Sequence, residues 1–307
     1  FNKLTNLQDK CYQNEINLRE DLNYINNTPI ASGSICQIFK IKYNNKISIC
    51  KTLVPNIDLK INESLKKLSF YKQILGIVNN DYYKLSNLIN ENEFKSVIMS
   101  HLNLEKEVEN TNKFREIFCN TDKIIIPEIY KYDGSIIMSY NEGIKLTDIK
   151  SKKHFDQAMF LIMSFFYTSI KNNLLHGDFH QSNFYFLIDN DEVKMIVLDF
   201  GIVFEIEDKH RDLILEIFNT ALSDQERNTL YLEILDEVNI KLKNDRNINN
   251  QQISFYNLFE NVELSEVSIK YLTICMILPY YGNIIRQYKL NTFFIKLFNF
   301  MYKNKIL

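Results

Sequence analysis

The sequence predicts an α+β fold in two lobes, a small mixed α/β N-lobe over residues 1–140 and a mainly helical C-lobe over 141–307. Short alternating strand patterns joined by Asn-Asn and Asp-Gly turn pairs occupy the first third or more. Beyond Gly143 the apolar residues recur at helical spacing instead. The 307 residues, 46% of them hydrophobic, can bury a full core and are long enough for two lobes.

Taken in order, IFKIKY and KISICKTL, Ile38 to Leu53, read as two strands around Asn44-Asn45, a pair that tolerates positive φ. From Asp58 to about Asn90 the pattern is helical with a break at Asn79-Asn80. Leu104, Val108, Thr111, Phe114 and Phe118 then mark a helix over Leu102 to Phe118. IIIPEIY and SIIMSY flank KYDG and read as a second strand pair, with Asp133-Gly134 at its turn. Phe155, Met159, Ile162, Met163, Phe166 and Ile170 give the wide stripe of a core helix. NFYFLID and VKMIVLD are two short strands joined by Asn190-Asp191. After Gly201 the chain reads as helical nearly to its end, through Leu213, Ile214, Ile217, Phe218 and then Leu230, Ile234, Leu235, Val238. The tract KLKNDRNINNQQ, Lys241 to Gln252, reads as a polar loop.

Several function classes are disfavoured. A formal charge of -2, from 36 Lys+Arg against 38 Asp+Glu, gives no electrostatic reason for a nucleic-acid partner. Cys11, Cys36, Cys50, Cys119 and Cys275 form no C-x-x-C pair, which argues against a disulfide framework or a zinc knuckle and fits a reducing, intracellular compartment. The longest uncharged apolar runs, Gln157 to Ile170 and Tyr271 to Ile285, fall short of the roughly 18 residues a membrane span requires. The start, FNKLTNLQDK, has neither the apolar region of a secretory signal nor an initiator Met. The expectation is an intracellular chain, soluble or peripheral to a membrane. Only 7 glycines occur, so each is expected where a Cβ is not tolerated.

The chemistry concentrates in HGDFHQSN, His176 to Asn183, followed at strand distance by LDFG, Leu198 to Gly201. Phosphoryl transfer from a nucleotide needs hard oxygen ligands for metal ions and a residue that orients the acceptor hydroxyl. Asp178, Asn183 and Asp199 supply those oxygens, and the strand pair between them returns Asp199 to the Asp178–Asn183 loop. A cation for the phosphates is expected on an N-lobe strand, and Lys51 ends the alternation Ile47, Ile49, Lys51 with its stem beside the core. Its expected partner is a helical carboxylate, and Glu107 is the candidate. Taken alone, Glu107 reads rather as an exposed-face residue among Glu105, Lys106 and Glu109. Upstream, Ala31, Ser32, Gly33 and Ser34 are small enough to let backbone amides approach phosphate.

Together these segments resemble the UbiB-type atypical kinases, a protein-kinase-like family associated with ubiquinone and other isoprenoid-lipid metabolism. ASGSICQIFK is similar to the family's alanine-rich loop and KISICKTLVPNI to its lysine strand. LNLEKEVENTNKF is similar to its glutamate helix, with Glu107 and Asn110 on motif positions, and IIMSYNEG to its hinge. HGDFHQSNF and VLDFG are similar to its catalytic loop and metal motif, and LTNLQDK to the segment leading into the first loop. The likeness runs over roughly residues 4 to 240.

The resemblance implies a two-lobed protein-kinase-like fold that binds ATP with Mg2+ between the lobes. Lys51 would contact the α/β phosphates and pair with Glu107, Asp199 and Asn183 would hold magnesium, and Asp178 would be the catalytic-loop aspartate. Ala31, Ser32, Gly33, Ser34 and Gln37 would cover the phosphates. Backbone at Ser139, Tyr140 and Asn141 would receive adenine, with Met138 behind it. The acceptor it implies is a small, lipid-linked or otherwise unknown molecule. The sequence departs from the family pattern in lacking the N-terminal K-x-G-Q helix and in carrying His101 and Asn103 at the usual acidic pair. It also has Ser139 at the hinge glutamate, Cys36 at a small-residue position of the loop, and Gly33 where many members have Ala.

Two other readings stand beside this one. H-G-D-x-H-x-x-N is also similar to the catalytic loop of aminoglycoside and choline kinases, although A-S-G-S-I-x-Q and Phe200-Gly201 favour the UbiB type. An ATP-binding pseudokinase scaffold without turnover is the reading from another class. Near the C-terminus, Phe293, Phe294, Leu297, Phe298 and Met301 form an apolar stripe with Lys296, Lys303 and Lys305 nearby. It reads first as packing on the domain's own core and second as a peripheral membrane helix.

Overall fold

The computed structural model describes residues 18–33, 35–78, 91–217, 223, 225–226, 229–230, 233, 241–242 and 262–263. They fall into two compact units, one drawing on Phe1–Ser69, Ser96–His154 and His180–Ile202, the other on Phe70–Lys95, Phe155–Phe179 and Val203–Leu307. In chain order the first elements are β1 (Asn23–Tyr24), β2 (Ala31–Ser32), β3 (Cys36–Tyr43), β4 (Lys46–Leu53), α1 (Ile57–Val78), α2 (Glu91–Ser100) and α3 (Leu104–Ile117). There follow β5 (Ile124–Ile125), β6 (Ile129–Tyr132), β7 (Ser135–Ser139), α4 (Lys152–Lys171), β8 (Leu174–His176), β9 (Phe184–Asp189) and β10 (Glu192–Val197). The last are β11 (Val203–Glu205), α5 (Asp208–Ile217), β12 (Lys241–Leu242) and β13 (Val262–Glu263).

The main sheet of the first unit runs β1-β3-β4-β7-β6, with β2 also on β3, and all its pairs are antiparallel. Its hairpins turn where the sequence allows left-handed backbone. Asn44 and Asn45 sit at φ 49° and 61° between β3 and β4, and Asp133 and Gly134 at φ 35° and 74° between β6 and β7. Alternation then sorts the side chains onto two faces. Phe39, Ile41, Cys50 and Ile137 pack with Leu22 on one face. On the other, Ile49, Ile136 and Met138 pack with Leu104 of α3, and Lys51 lies opposite Ile38 and Ile136. The register therefore delivers Lys51 to the face that α3 covers.

The segment IIIPEIY is not one strand, in contrast to the sequence expectation. Ile124–Ile125 pairs parallel with β10, in a sheet ordered β5-β10-β9, whereas Ile129–Tyr132 pairs with β7. Pro127 lies between them and has no N–H to continue a ladder, so the chain changes sheets there. Beyond β7 the chain bridges to β9 through Ile144 and Phe186. A Cβ on Gly143 would lie 2.8 Å from Tyr185 Cβ and 3.2 Å from the Phe186 nitrogen, so this crossing requires glycine.

In the second unit α4 buries Met159, Ile162, Phe166 and Ile170 of the expected stripe, with Ala158, Leu161 and Phe165 beside them, whereas Phe155 and Met163 are only half-buried. The chain after Gly201 is not immediately helical, however. Val203–Glu205 pairs antiparallel with β8 before α5 begins. Asn173, at φ 61°, locks this pairing: its backbone carbonyl accepts from Ile206 N–H at 2.8 Å and its amide donates to the Ile206 carbonyl at 2.8 Å. Lys241–Leu242 pairs with Val262–Glu263, so the expected polar loop opens in a strand.

Among the described residues no helix is long and apolar enough to cross a membrane. Cys36, Cys50 and Cys119 are free thiols. Cys11, Cys275, Ser34, residues 79–90, Phe218, Ile234, Leu235, Val238, the run Tyr271 to Ile285 and the C-terminal stripe from Phe293 to Met301 lie outside the described residues.

Candidate active site

Lys51 is 6% exposed, and its ammonium donates to Glu107 Oε1 at 2.7 Å and Oε2 at 2.8 Å. The same nitrogen lies 3.1 Å from Asp199 Oδ1. Glu107 comes to this position through the phase of α3. Asn103 caps that helix by accepting the Lys106 N–H, and Leu104, Glu107, Asn110, Thr111 and Phe114 form its buried row. Glu107 is only 1% exposed, so its reading as an outer-face residue fails, while Glu105, Lys106 and Glu109 do face solvent.

Asp199 arrives by a different route. Asn183 and Leu198 lie just off the open end of the β9–β10 hairpin, and the Leu198 N–H donates to the Asn183 carbonyl at 2.7 Å. The next residue, Asp199, takes left-handed backbone at φ 57°, and its Oδ1 accepts from the Gly201 N–H at 3.2 Å. A Cβ on Gly201 would press on that oxygen at 3.2 Å, while Glu107 Oε2, at 3.8 Å, would be in ordinary contact. Here the scarcity of glycine is explained by the site. At Gly33 it is not, since the nearest atom to a Cβ would be the Cys36 carbonyl oxygen at 3.9 Å.

One ammonium thus faces two carboxyl groups, and burial pushes the Glu107 carboxyl above its ordinary value against the pull of Lys51. Burial alone would push the Lys51 pKa down, but Glu107 and Asp199 outweigh it and hold it above the usual lysine range. Burial likewise works to raise Asp199, and Lys51, the Gly201 N–H and His101 reverse this, leaving it below its ordinary value. The Cys36 thiol feels the same cluster. Burial pushes it up to about 12, with Glu107 and Asp199 acting in the same direction against Lys51.

Asn183, itself buried, has its amide 3.4 Å from the His180 ring and its N–H donating to the His180 carbonyl at 2.8 Å. Asp178 belongs to the second unit. Its N–H donates to His176 Nδ1 at 3.3 Å, and His176 and Phe179 pack with Phe165 of α4. The structure therefore brings Lys51, Glu107 and Asp199 into direct contact and sets Asn183 beside the strand end that carries Asp199.

The remaining expected residues lie along the main sheet. Ala31 and Ser32 form exposed β2 opposite Ile38 and Gln37, and Gln37 is buried. The Gly33 N–H donates to the Cys36 carbonyl at 2.9 Å, so that amide is engaged within its own turn; Ser34 is outside the described residues. Met138 is buried beside Ile49. Ser139 N–H donates to the Glu128 carbonyl at 2.9 Å, Lys40 Nζ lies 4.3 Å from the Tyr140 ring centroid, and Asn141 is exposed. Asn110, marked in the sequence only by its motif position in the resemblance, donates its amide to the Phe200 carbonyl at 2.9 Å, and Phe114 and Phe200 have ring centroids 4.7 Å apart. The available signal was its position one helical turn after Glu107.

The donor chemistry fits magnesium. Among the described residues no group of three or more His, Cys, Asp or Glu side chains forms a metal cage. Magnesium needs none, because it takes one or two protein oxygens and fills its octahedron with phosphate and water. Asp199, with its side chain 37% exposed, could give one such oxygen, and the amide carbonyl of Asn183 could give a second.

A family model described as the ABC1 atypical kinase-like domain matches residues 9–232. Over 204 residues the chain is 28% identical to the "Probable protein kinase UbiB" of Shewanella sp. strain MR-4, covering 63% of this chain and 37% of that one. It is 27% identical to the protein of the same name from Shewanella baltica strain OS185, with the same coverage. The chain thus spans little more than a third of the length of these curated relatives. Among solved structures it is similar to the Rv3197–erythromycin complex from Mycobacterium tuberculosis, with a TM-score of 0.51 and 16% identity over 96% of this chain and 81% of that one, a likeness of fold. With the family model spanning most of its length, the chain belongs to the ABC1 atypical kinase-like family, and its α+β fold is protein-kinase-like.

Proposed function

We propose that this chain is a UbiB-like atypical kinase or ATPase. It binds Mg-ATP between an N-lobe of residues 1–140 and a C-lobe of residues 141–307. It then hydrolyses the nucleotide or passes its terminal phosphate to a small acceptor, lipid-linked or otherwise. The observation that carries this reading is the buried ammonium of Lys51 held at once by Glu107 and Asp199. Such a charge, fixed and desolvated, is placed to neutralise nucleotide phosphates without reorganising.

In this reading Lys51 contacts the α/β phosphates and Glu107 keeps it aimed. Asp199 and Asn183 hold magnesium, which when bound neutralises charge on the phosphate oxygens. Ala31, Ser32, Gly33, Ser34 and Gln37 cover the phosphates, and backbone at Ser139, Tyr140 and Asn141 takes the base in front of Met138. Asp178 accepts the proton of the attacking water or acceptor hydroxyl as the new oxygen–phosphorus bond forms and ADP departs.

The test is phosphate release from ATP with and without magnesium, wild type against Asp199→Asn. Magnesium-dependent release that falls by at least about a hundredfold in the variant is expected. Equal rates in the two proteins contradict the enzymatic reading. Stabilisation by Mg-ATP with no release in either protein points instead to a nucleotide-binding scaffold.

A further inference from the structure

We infer that Asn110 is the positioning residue that orients Asp199, because its amide holds the Phe200 carbonyl and so fastens the metal-binding segment to the helix that carries Glu107. This rests on the reading of Asp199 as a magnesium ligand. Asp199 has φ 57°. For a non-glycine residue that region is unfavourable by about 1–2 kcal/mol, and it persists only where surrounding contacts over-determine it. The local contact is the Gly201 N–H on Asp199 Oδ1 at 3.2 Å, which fixes the side chain to its own turn. It does not fix the turn to the rest of the site.

That second task falls to α3. Asn110 is 3% exposed and donates to the Phe200 carbonyl at 2.9 Å across 90 residues of sequence. One turn further along, Phe114 packs on the Phe200 ring, and one turn before, Glu107 shares Lys51 with Asp199. Three successive turns of one helix therefore grip the side chain before Phe200, its carbonyl and its ring. The carbonyl is the informative grip, because it belongs to the Phe200–Gly201 peptide, the same plane whose N–H donates to Asp199 Oδ1. A side chain of the same volume without a donor would leave the packing and release that plane. Asp199 would then present its free carboxylate oxygen to magnesium only part of the time, while the nucleotide contacts on Lys51 and the main sheet stay in place.

The experiment is calorimetric titration of the full chain with ATP, once with magnesium and once with EDTA, for wild type and Asn110→Leu. The wild type is expected to bind more tightly with magnesium. In the variant that magnesium advantage should shrink by about three- to tenfold, the ratio commanded by one hydrogen bond of this kind, while affinity in EDTA stays within about twofold. A role confined to folding would weaken both titrations alike, whatever the melting temperature does, and that outcome overturns the inference. So does an unchanged magnesium advantage in the variant, which leaves the wild-type site reading intact. A wild type with no magnesium advantage overturns the site reading and this inference together. Should Asn110→Leu fail to fold, Asn110→Ser, whose hydroxyl is too short to reach the carbonyl, is titrated in its place against the same criteria.

Discussion

Lys51 keeps its charge inside the protein because two carboxylates share it, and each partner's removal has a distinct consequence. Glu107→Gln takes away the more deeply buried partner. Breaking a buried pair outright costs about 3–5 kcal/mol, but Asp199 still faces the ammonium, so chemical denaturation should show a smaller loss. The linkage with pH follows from the directions of the two shifts. Lys51 is raised above its ordinary 10.5, so its contribution is complete below pH 10.5 and fades as the pH climbs through the folded-state value. Asp199 is lowered below its ordinary 3.8, so its contribution is complete above pH 3.8 and is lost as the pH falls through its folded-state value. Denaturation midpoints of wild type and Lys51→Met should therefore converge at strongly alkaline pH, and those of wild type and Asp199→Asn at strongly acidic pH. Midpoint differences that do not change with pH would contradict both assignments. Cys36, with its thiol pushed up to about 12, should resist iodoacetamide at pH 8 while exposed Cys119 reacts, as peptide mass spectrometry would report.

At the scale of elements, helix phase and backbone turns do the positioning. Asn103 caps α3 by accepting from Lys106 N–H at 3.1 Å, and Asn103→Ala should cost about 1 kcal/mol in denaturant titration. A methyl at Gly143 would meet Tyr185 Cβ at 2.8 Å, so Gly143→Ala should destabilise the crossing to β9 and lower the melting temperature. The β3–β4 hairpin was legible from Asn44-Asn45 and the alternation around it, because turn chemistry and strand period agree there. The break at Pro127 was written in the sequence but masked by the apolar run on both sides of it. β8 and β11 have three residues each, too few for a period, and only their pairing across the intervening chain makes them strands. From its own stretch of chain Glu107 was illegible for a related reason. Its neighbours Glu105, Lys106 and Glu109 outvote it locally, and burial is set by Lys51, 56 residues away.

For the molecule as a whole, the family is established over residues 9–232, and three of the expected site residues, Lys51, Glu107 and Asp199, converge within the first compact unit. Lys51 and Asp199 were legible because each sits in a recognisable element, a strand and the stretch just after a hairpin, whereas Glu107 was marked only by the likeness of its helix to the family's. The tie from Asn110 to Phe200 was not legible, since an amide reaching a backbone carbonyl 90 residues away leaves no pattern in the sequence. The central claim is that the Lys51, Glu107 and Asp199 cluster binds nucleotide with magnesium. Its most direct test is the affinity of the wild type and Lys51→Met for Mg-ATP by calorimetry. The variant should bind at least tenfold more weakly, by about 1.4 kcal/mol, and equal affinities in the two proteins would contradict a nucleotide role for the cluster.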